Sequence, residues 1–277
     1  MRGKDSRSSK KVLTRSEVRK ILTFAGETAT GAGKILKKGF NRPIRVTFKG
    51  RINPVTDYDL KSEKYIVSSI ARTYPHHEIL AEEGTTTGRS SNYRWIIDPL
   101  DGTVNFSHGF PIYCVSIALE YEQKMIVGVV YDPERDELFS AARDNGAFLN
   151  GRRTHVSSEK RLGRALLATG FAYDIASTRR NNLGLFARMA KQAQGVRRPG
   201  SAAIDLCWLA SGRIDGFWEL NLYPWDTAAA ALIVTEAGGT ISRLDGRSYS
   251  IFDKDLLASN SRLHRSMRIA LNKHKGR

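Results

Sequence analysis

The stretch that most constrains the fold runs from Cys114 to Ser157, "CVSIALEYEQKMIVGVVYDPERDELFSAARDNGAFLNGRRTHVS". Short apolar runs alternate there with turn formers such as Asp132-Pro133 and Asp144-Asn145-Gly146, which predicts an antiparallel meander. Two helices precede it. The first opens on Thr14-x-x-Glu17, a capping box, and then keeps helical spacing from Val18 through Ile21, Leu22, Ala25, Ala29, Ala32, Ile35 and Leu36. The second is expected from about Asp59 to Tyr74, with Leu60, Ile66, Val67 and Ile70 on one face and Pro75 ending it. "HEIL" and "YRWII" read as short strands, each delivering acids at its C-terminal end.

After about residue 158 strands and helices alternate: "RALLAT", a helix around 177–194 stopped by Gly195, the small-residue helix "GSAAIDLCWLASG", the strand "RIDGFWEL", and the helix "WDTAAAALIVTEAGG" with Asp226 near its N-cap. With 277 residues the chain can bury a sizeable core as one large domain or two joined halves. The expected organisation is a basic tail over 1–13, an α+β half over 14–158 and an α/β half over 159–277. No apolar run nears the roughly 20 residues that span a bilayer, and the start "MRGKDSRSSKKVL" has no apolar core of a secretory signal. Cys114 and Cys207 sit in apolar segments and read as reduced core residues of a cytoplasmic protein.

The formal net charge is +16, and the ends carry it: residues 1–51 hold a net +12 and residues 260–277 a net +6, while 52–259 hold a net −2. A basic end can attract RNA, an acidic partner or an anionic substrate. A solvated tail is the favoured reading, because no nucleic-acid-binding motif accompanies the charge.

The middle holds the chemistry. In "RWIIDPLDGTVNF" Asp98 and Asp101 are crowded among Pro, Gly and Thr after an apolar run, with Glu82-Glu83 upstream and "PWD" downstream. Singly, each has a plainer reading: a turn before a helix, an acidic loop, a helix N-cap. Together, each following a predicted strand, they point to one site. Carboxylates about 5 Å apart repel by a few kcal/mol per pair at an effective dielectric near 20, so they share a site only by binding protons or cations. Magnesium fits best, being a hard ion that wants oxygen ligands, phosphate and water; a structural zinc site would need Cys and His, which are scattered here. Gly102 permits close backbone approach, and the amides that follow it suit a phosphate.

"ILAEEG", "WIIDPLDGTVNF", "PWDTAAAALIVTEAGG" and "GSAAIDLCWLASGRIDGFWE" resemble the signature segments of the inositol monophosphatase family of lithium-sensitive, Mg-dependent phosphatases, and the likeness spans nearly all of 16–272. The resemblance implies a layered αβαβα sandwich, an α/β (α+β) fold of the inositol monophosphatase and fructose-1,6-bisphosphatase type, in a homodimer. It implies a first metal on Glu82, Asp98 and the Leu100 carbonyl, a second on Asp98, Asp101 and Asp226, and a weaker third near Glu82. It puts Thr103 and Asp59 at the nucleophilic water, Gly102 and Thr103 at the phosphate, Glu219 at the inositol hydroxyls and Ala202 in the pocket wall. Two or three Mg²⁺ are implied, and three would balance four carboxylates and a phosphate dianion; the implied reaction is direct water attack on inositol 1-phosphate without a phosphoenzyme. The chain departs from the family in carrying Gly170-Phe171-Ala172-Tyr173-Asp174 at the substrate rim and in its basic N-terminal extension.

Other readings are weaker. "DYDLK" lacks the Thr and the strand of an aspartyl-phosphate motif, and "TGAGK" lacks the first Gly and the hydroxyl residue of a P-loop, which favours a small-residue packing face. His76, His77 and His108 read as surface or loop residues. Phosphatases acting on fructose 1,6-bisphosphate, histidinol phosphate or 3′-phosphoadenosine 5′-phosphate are rivals, and so is a role binding RNA or the transcription machinery.

Overall fold

A computed structural model describes residues 13–49, 53–87 and 91–272; the charged tail 1–12 and the last basic residues, 273–277, lie outside them. Helix α1 (Arg15–Gly39) starts on the expected capping box. Thr14 Oγ1 accepts from Glu17 N at 3.2 Å, and Glu17 Oε2 accepts from Thr14 N at 2.8 Å. "TGAGK" lies mid-helix and is a packing face: a β-carbon on Gly31 would run into Tyr65, and one on Gly33 into the Tyr131 ring.

Helix α2 (Asp57–Thr73) has a second capping box, Thr56 with Asp59, whose Oδ2 accepts from Thr56 N at 2.8 Å. Its buried face corrects the expected one. Leu60 is 54% exposed, while Asp59, Ser62, Glu63, Ile66, Ser69 and Ile70 face inward. The inward polar groups have partners: Ser62 Oγ donates to Pro99 O at 2.8 Å, and Glu63 accepts from Glu83 N at 2.9 Å and Thr85 Oγ1 at 2.5 Å. Satisfied hydrogen bonds make their burial tolerable. They also tie α2 to the two segments that carry the acids.

The larger sheet has eight strands in the order β10 (Arg152–Thr154), β9 (Gly146–Leu149), β8 (Glu137–Ala142), β7 (Lys124–Asp132), β6 (Cys114–Tyr121), β5 (Tyr93–Asp101), β3 (Glu78–Ala81) and β4 (Thr86–Thr87). β6 to β10 form the predicted meander. β3 runs parallel to β5, so both strands release their acids at the same edge. β1 (Val46–Lys49) and β2 (Asn53–Thr56) form a separate antiparallel hairpin.

The smaller sheet runs β12 (Gly195–Arg197), β11 (Leu166–Thr169), β13 (Gly216–Leu220), β15 (Asp255–Ser259), β14 (Thr240–Ser242). α1 and α2 cover one face of the large sheet. α5 (Ala202–Ala210) and α6 (Pro224–Glu236) fill the space between the sheets. α4 (Leu183–Ala190) and α7 (His264–Asn272) close the outer face of the small sheet. The five layers are the expected αβαβα sandwich. Both cysteines are free and buried, and among the described residues no helix is long and apolar enough to cross a membrane.

The helix expected over 177–194 is shorter, only α4 (Leu183–Ala190). The reason is tertiary. Asn182 is 2% exposed, and its side chain donates to Thr169 Oγ1 and Gly170 O while accepting from Trp218 Nε1 at 2.7 Å. Those bonds pin the chain against the small sheet just before the helix begins. The β1–β2 hairpin, β12, β14, β15 and α7 are further elements absent from the sequence reading.

His77 lies in the loop between α2 and β3, as one of its two expected settings has it, but half-buried. Its ring stacks on Tyr93 with centroids 4.4 Å apart, and Nδ1 accepts from Trp95 Nε1 at 3.1 Å. Burial, aided by the charge of His76, lowers its pKa from 6.5 to about 4. Above pH 6.5 the ring is neutral in both states; below it the unfolded chain takes up a proton that the folded chain refuses until about pH 4, so stability drains across that window. Lowering the pH from 7 to 4.5 should therefore reduce the Tm of the wild type more than that of His77→Phe. Parallel Tm–pH slopes for the two proteins would remove His77 as the cause.

Candidate active site

The ends of β3, β5 and β13 and the start of α6 open on a cavity of about 500 Å³. Glu82, Asp98, Leu100, Asp101, Gly102 and Thr103 line it from the first half of the chain. Ala202, Glu219 and Asp226 line it from the second. Asp59 stands behind Thr103 rather than in the wall, 1% exposed.

"DPLD" is a strand end, not a solvated turn. Asp98 pairs with Ser116 and Asp101 with Cys114, and the register slips between them. Such a bulge re-aims side chains at a sheet edge. Asp98 is 1% exposed, and its Oδ1 accepts from Leu100 N at 3.0 Å. Next, Gly102 adopts φ 96°, a left-handed conformation that turns the chain into the short helix α3 (Thr103–Ser107). Thr103 Oγ1 lies 3.0 Å from both Asp59 Oδ1 and the Leu100 carbonyl oxygen, and its single proton serves one acceptor at a time. Burial pushes the Asp59 carboxyl up to about 6, against the donors on Thr56 and Thr103.

The remaining acids are anchored from other elements. Asp101 Oδ2 accepts from Ser201 Oγ and Ala203 N, each at 2.7 Å, which binds the end of β5 to the start of α5. Asp226 is the third residue of α6, not its N-cap; its Oδ2 accepts from Tyr223 N at 2.7 Å. Capping and facing the cavity are thus compatible. Glu82 follows β3, where its N–H donates to Ile97 O at 3.2 Å, and Glu63 holds the rest of that turn through Glu83 N and Thr85. The Glu219 carboxylate lies against Gly170, where a β-carbon would run into it. Burial, then Asp101, pushes its carboxyl up to about 8, with Arg198 opposing.

Asp98 is raised well above the usual carboxylate range, first by burial and then by Glu82, Asp101 and Asp226. The four acids therefore feel one another's charge, and among the described residues Arg198 is the single basic side chain in the cavity wall. Among the described residues no three His, Cys, Asp or Glu side chains group so that they could hold a metal ion by themselves. What the cavity offers a cation are the carboxylates of Glu82, Asp98, Asp101 and Asp226 in its wall, with the anchoring bonds of Asp98 and Asp226 each on one carboxylate oxygen. That suits a hard cation that takes a few carboxylates and completes its shell with carbonyl, water and phosphate oxygens.

Sequence reading missed Glu63, Ser201, Asp205 and Arg198. Glu63 had a signal in the helical spacing from Asp59 and Ile66; Arg198 had none.

Comparison with known proteins places the chain among the phosphatases. It belongs to the inositol monophosphatase family, whose profile matches residues 17–275. It is 43% identical to an inositol-1-monophosphatase of Synechocystis sp. over 266 residues, covering 95% of this chain and 93% of that one. It is 40% identical to the Nus factor SuhB of Pseudomonas aeruginosa, over 92% of this chain and 96% of that one. A solved inositol monophosphatase from Anabaena matches 92% of this chain and 96% of its own, with a TM-score of 0.84 at 40% identity.

Proposed function

We propose that this phosphatase hydrolyses inositol 1-phosphate to inositol and phosphate with Mg²⁺ as cofactor. The observation that carries the reading is the convergence of Glu82, Asp98, Asp101 and Asp226 on one cavity beside the Thr103–Asp59 hydrogen bond. Family membership and the name of the 43% identical Synechocystis relative support it. In this reading Glu82, Asp98 and the Leu100 carbonyl hold one ion, Asp98, Asp101 and Asp226 a second, and a weaker third lies near Glu82. Bound Mg²⁺ would neutralise the charge of the phosphoryl group and lower the pKa of water at the site.

The chain's own groups have defined tasks. Thr103 Oγ1, when its proton is committed to Asp59, turns lone pairs outward to accept from the attacking water. Asp59, buried and raised to about 6, relays that proton near neutral pH. Gly102 lets the backbone approach the phosphate, while Ala202 leaves room for the polyol and Glu219 accepts from its hydroxyls.

A panel of phosphate esters assayed with Mg²⁺ tests the reading: kcat/KM should be highest for inositol 1-phosphate, ahead of fructose 1,6-bisphosphate, histidinol phosphate and 3′-phosphoadenosine 5′-phosphate. Lithium should inhibit in the millimolar range, and Mg²⁺ with phosphate should raise the Tm, since ligands that bind the folded state alone stabilise it. A different preferred ester, or a Tm indifferent to Mg²⁺, would overturn it. The relatives named Nus factor SuhB favour a second reading, in which the basic ends bind RNA or the transcription machinery. Deleting residues 1–13 separates the two, because phosphatase activity would survive and salt-sensitive RNA binding would fall.

A further inference from the structure

Asp205 sits in the wall of the same cavity and has no role in the chemistry above. It lies in the first turn of α5, just beyond the Ser201 and Ala203 groups that hold Asp101. It is 1% exposed, yet no donor reaches its buried Oδ1. The charged groups that face it are Glu219 and Asp101, both acids, and Arg198 at the rim. Burial, then Glu219, raises its carboxyl well above the usual range.

A buried carboxyl group without a hydrogen-bond partner is a liability to folding. The neighbouring core positions of this helix, Ile204, Leu206 and Cys207, are apolar, so an aliphatic side chain would fit the surroundings better. A polar residue that violates the local rule in a cavity wall marks a functional position.

We propose that Asp205 is a specificity-determining positioning residue: with Glu219 it forms a carboxyl pair on the cavity floor that orients the hydroxyl-bearing leaving group of a polyol phosphate. Asp205 faces Glu219 and braces it as the hydroxyl acceptor, and its own unpartnered oxygen gains a donor when the polyol enters. Of the charged groups that face it, Glu219 acts most strongly, so its contribution is assigned to the alcohol half of the ester. This inference rests on the polyol-phosphate reading above.

The test is steady-state kinetics of Asp205→Leu and Asp205→Asn on inositol 1-phosphate and on p-nitrophenyl phosphate, whose leaving group has no other hydroxyl, together with their melting temperatures. Asp205→Leu should raise KM for inositol 1-phosphate about tenfold or more, with kcat and the p-nitrophenyl phosphate parameters changed less than about threefold, and its Tm should hold or rise. Asp205→Asn, which keeps the shape and a hydrogen-bonding group, should recover most of the KM. Unchanged KM in Asp205→Leu would overturn the proposal, and so would equal losses on both esters with a lowered Tm, the mark of a merely structural residue. If the wild type itself shows no preference for inositol 1-phosphate over p-nitrophenyl phosphate, the polyol reading fails first, independently of the variants.

Discussion

Asp98→Asn should abolish turnover while leaving the metal-free protein at least as stable as the wild type. Asp98 is the most deeply placed of the four acids that meet at the cavity, and in the proposed site it is the one shared by both principal metal positions. Asparagine keeps the shape and the oxygen that accepts from Leu100 N, so the bulge of β5 survives. What disappears is one negative charge from a wall whose charges already oppose one another. Losing metal-borne stabilisation worth several kcal/mol in the transition state corresponds to at least about a 10³-fold fall in kcat. The Tm without Mg²⁺ should hold or rise, because a carboxyl group disfavoured by burial has been replaced by a neutral amide, and the increment that Mg²⁺ and phosphate give the wild type should vanish. Turnover within tenfold of wild type at saturating Mg²⁺ would end the assignment of Asp98.

The acids were legible in the sequence because each occupies a short segment whose punctuation shows where an apolar run stops. "WIIDPLDG" announces a buried strand and its end, and "PWDTAAAALIV" announces a helix whose first turn carries an acid. Less visible was what steadies them. Glu63 and Ser62 face inward on α2, but a reading keyed to apolar spacing assigns the inner face to Leu60 and sets polar residues outside. Asp205 escaped for the same reason, as a lone acid in a small-residue helix that the pattern marks as core. Asn182 shows a different limit: it is the N-cap of α4, but Ser177 and Thr178 offer equally good earlier starts, and the contacts that delay the helix come from Thr169 and Trp218, far away in the chain. The meander was readable because its pairings are between neighbours. The small sheet mixes parallel and antiparallel neighbours from distant segments, and local pattern does not order such strands.

Gly102→Ala should lower kcat about 100-fold and reduce the Tm. Gly102 adopts φ 96°, where a side chain costs roughly 1–2 kcal/mol, and the new β-carbon would lie 2.8 Å from the Ile112 carbonyl oxygen. That neighbour is backbone, so the strain has to be relieved by moving the Asp101–Thr103 segment itself. Both ends of the segment are tied. Asp101 is held by Ser201 and Ala203, and Thr103 by Asp59 and Leu100. Any shift therefore displaces a carboxylate or the hydroxyl of the cavity, and a misplacement of about 1 Å is enough for a 10²-fold loss. Gly151→Ala supplies the contrast. Gly151 has φ 75° with nothing within 4 Å of the added carbon, and it sits in the turn between β9 and β10, outside the cavity wall. It should lose Tm through backbone strain alone and keep wild-type kcat/KM. If both variants lose stability and both keep activity, then the position of the Asp101–Thr103 segment does not govern turnover, and Thr103 is not the residue that orients the water.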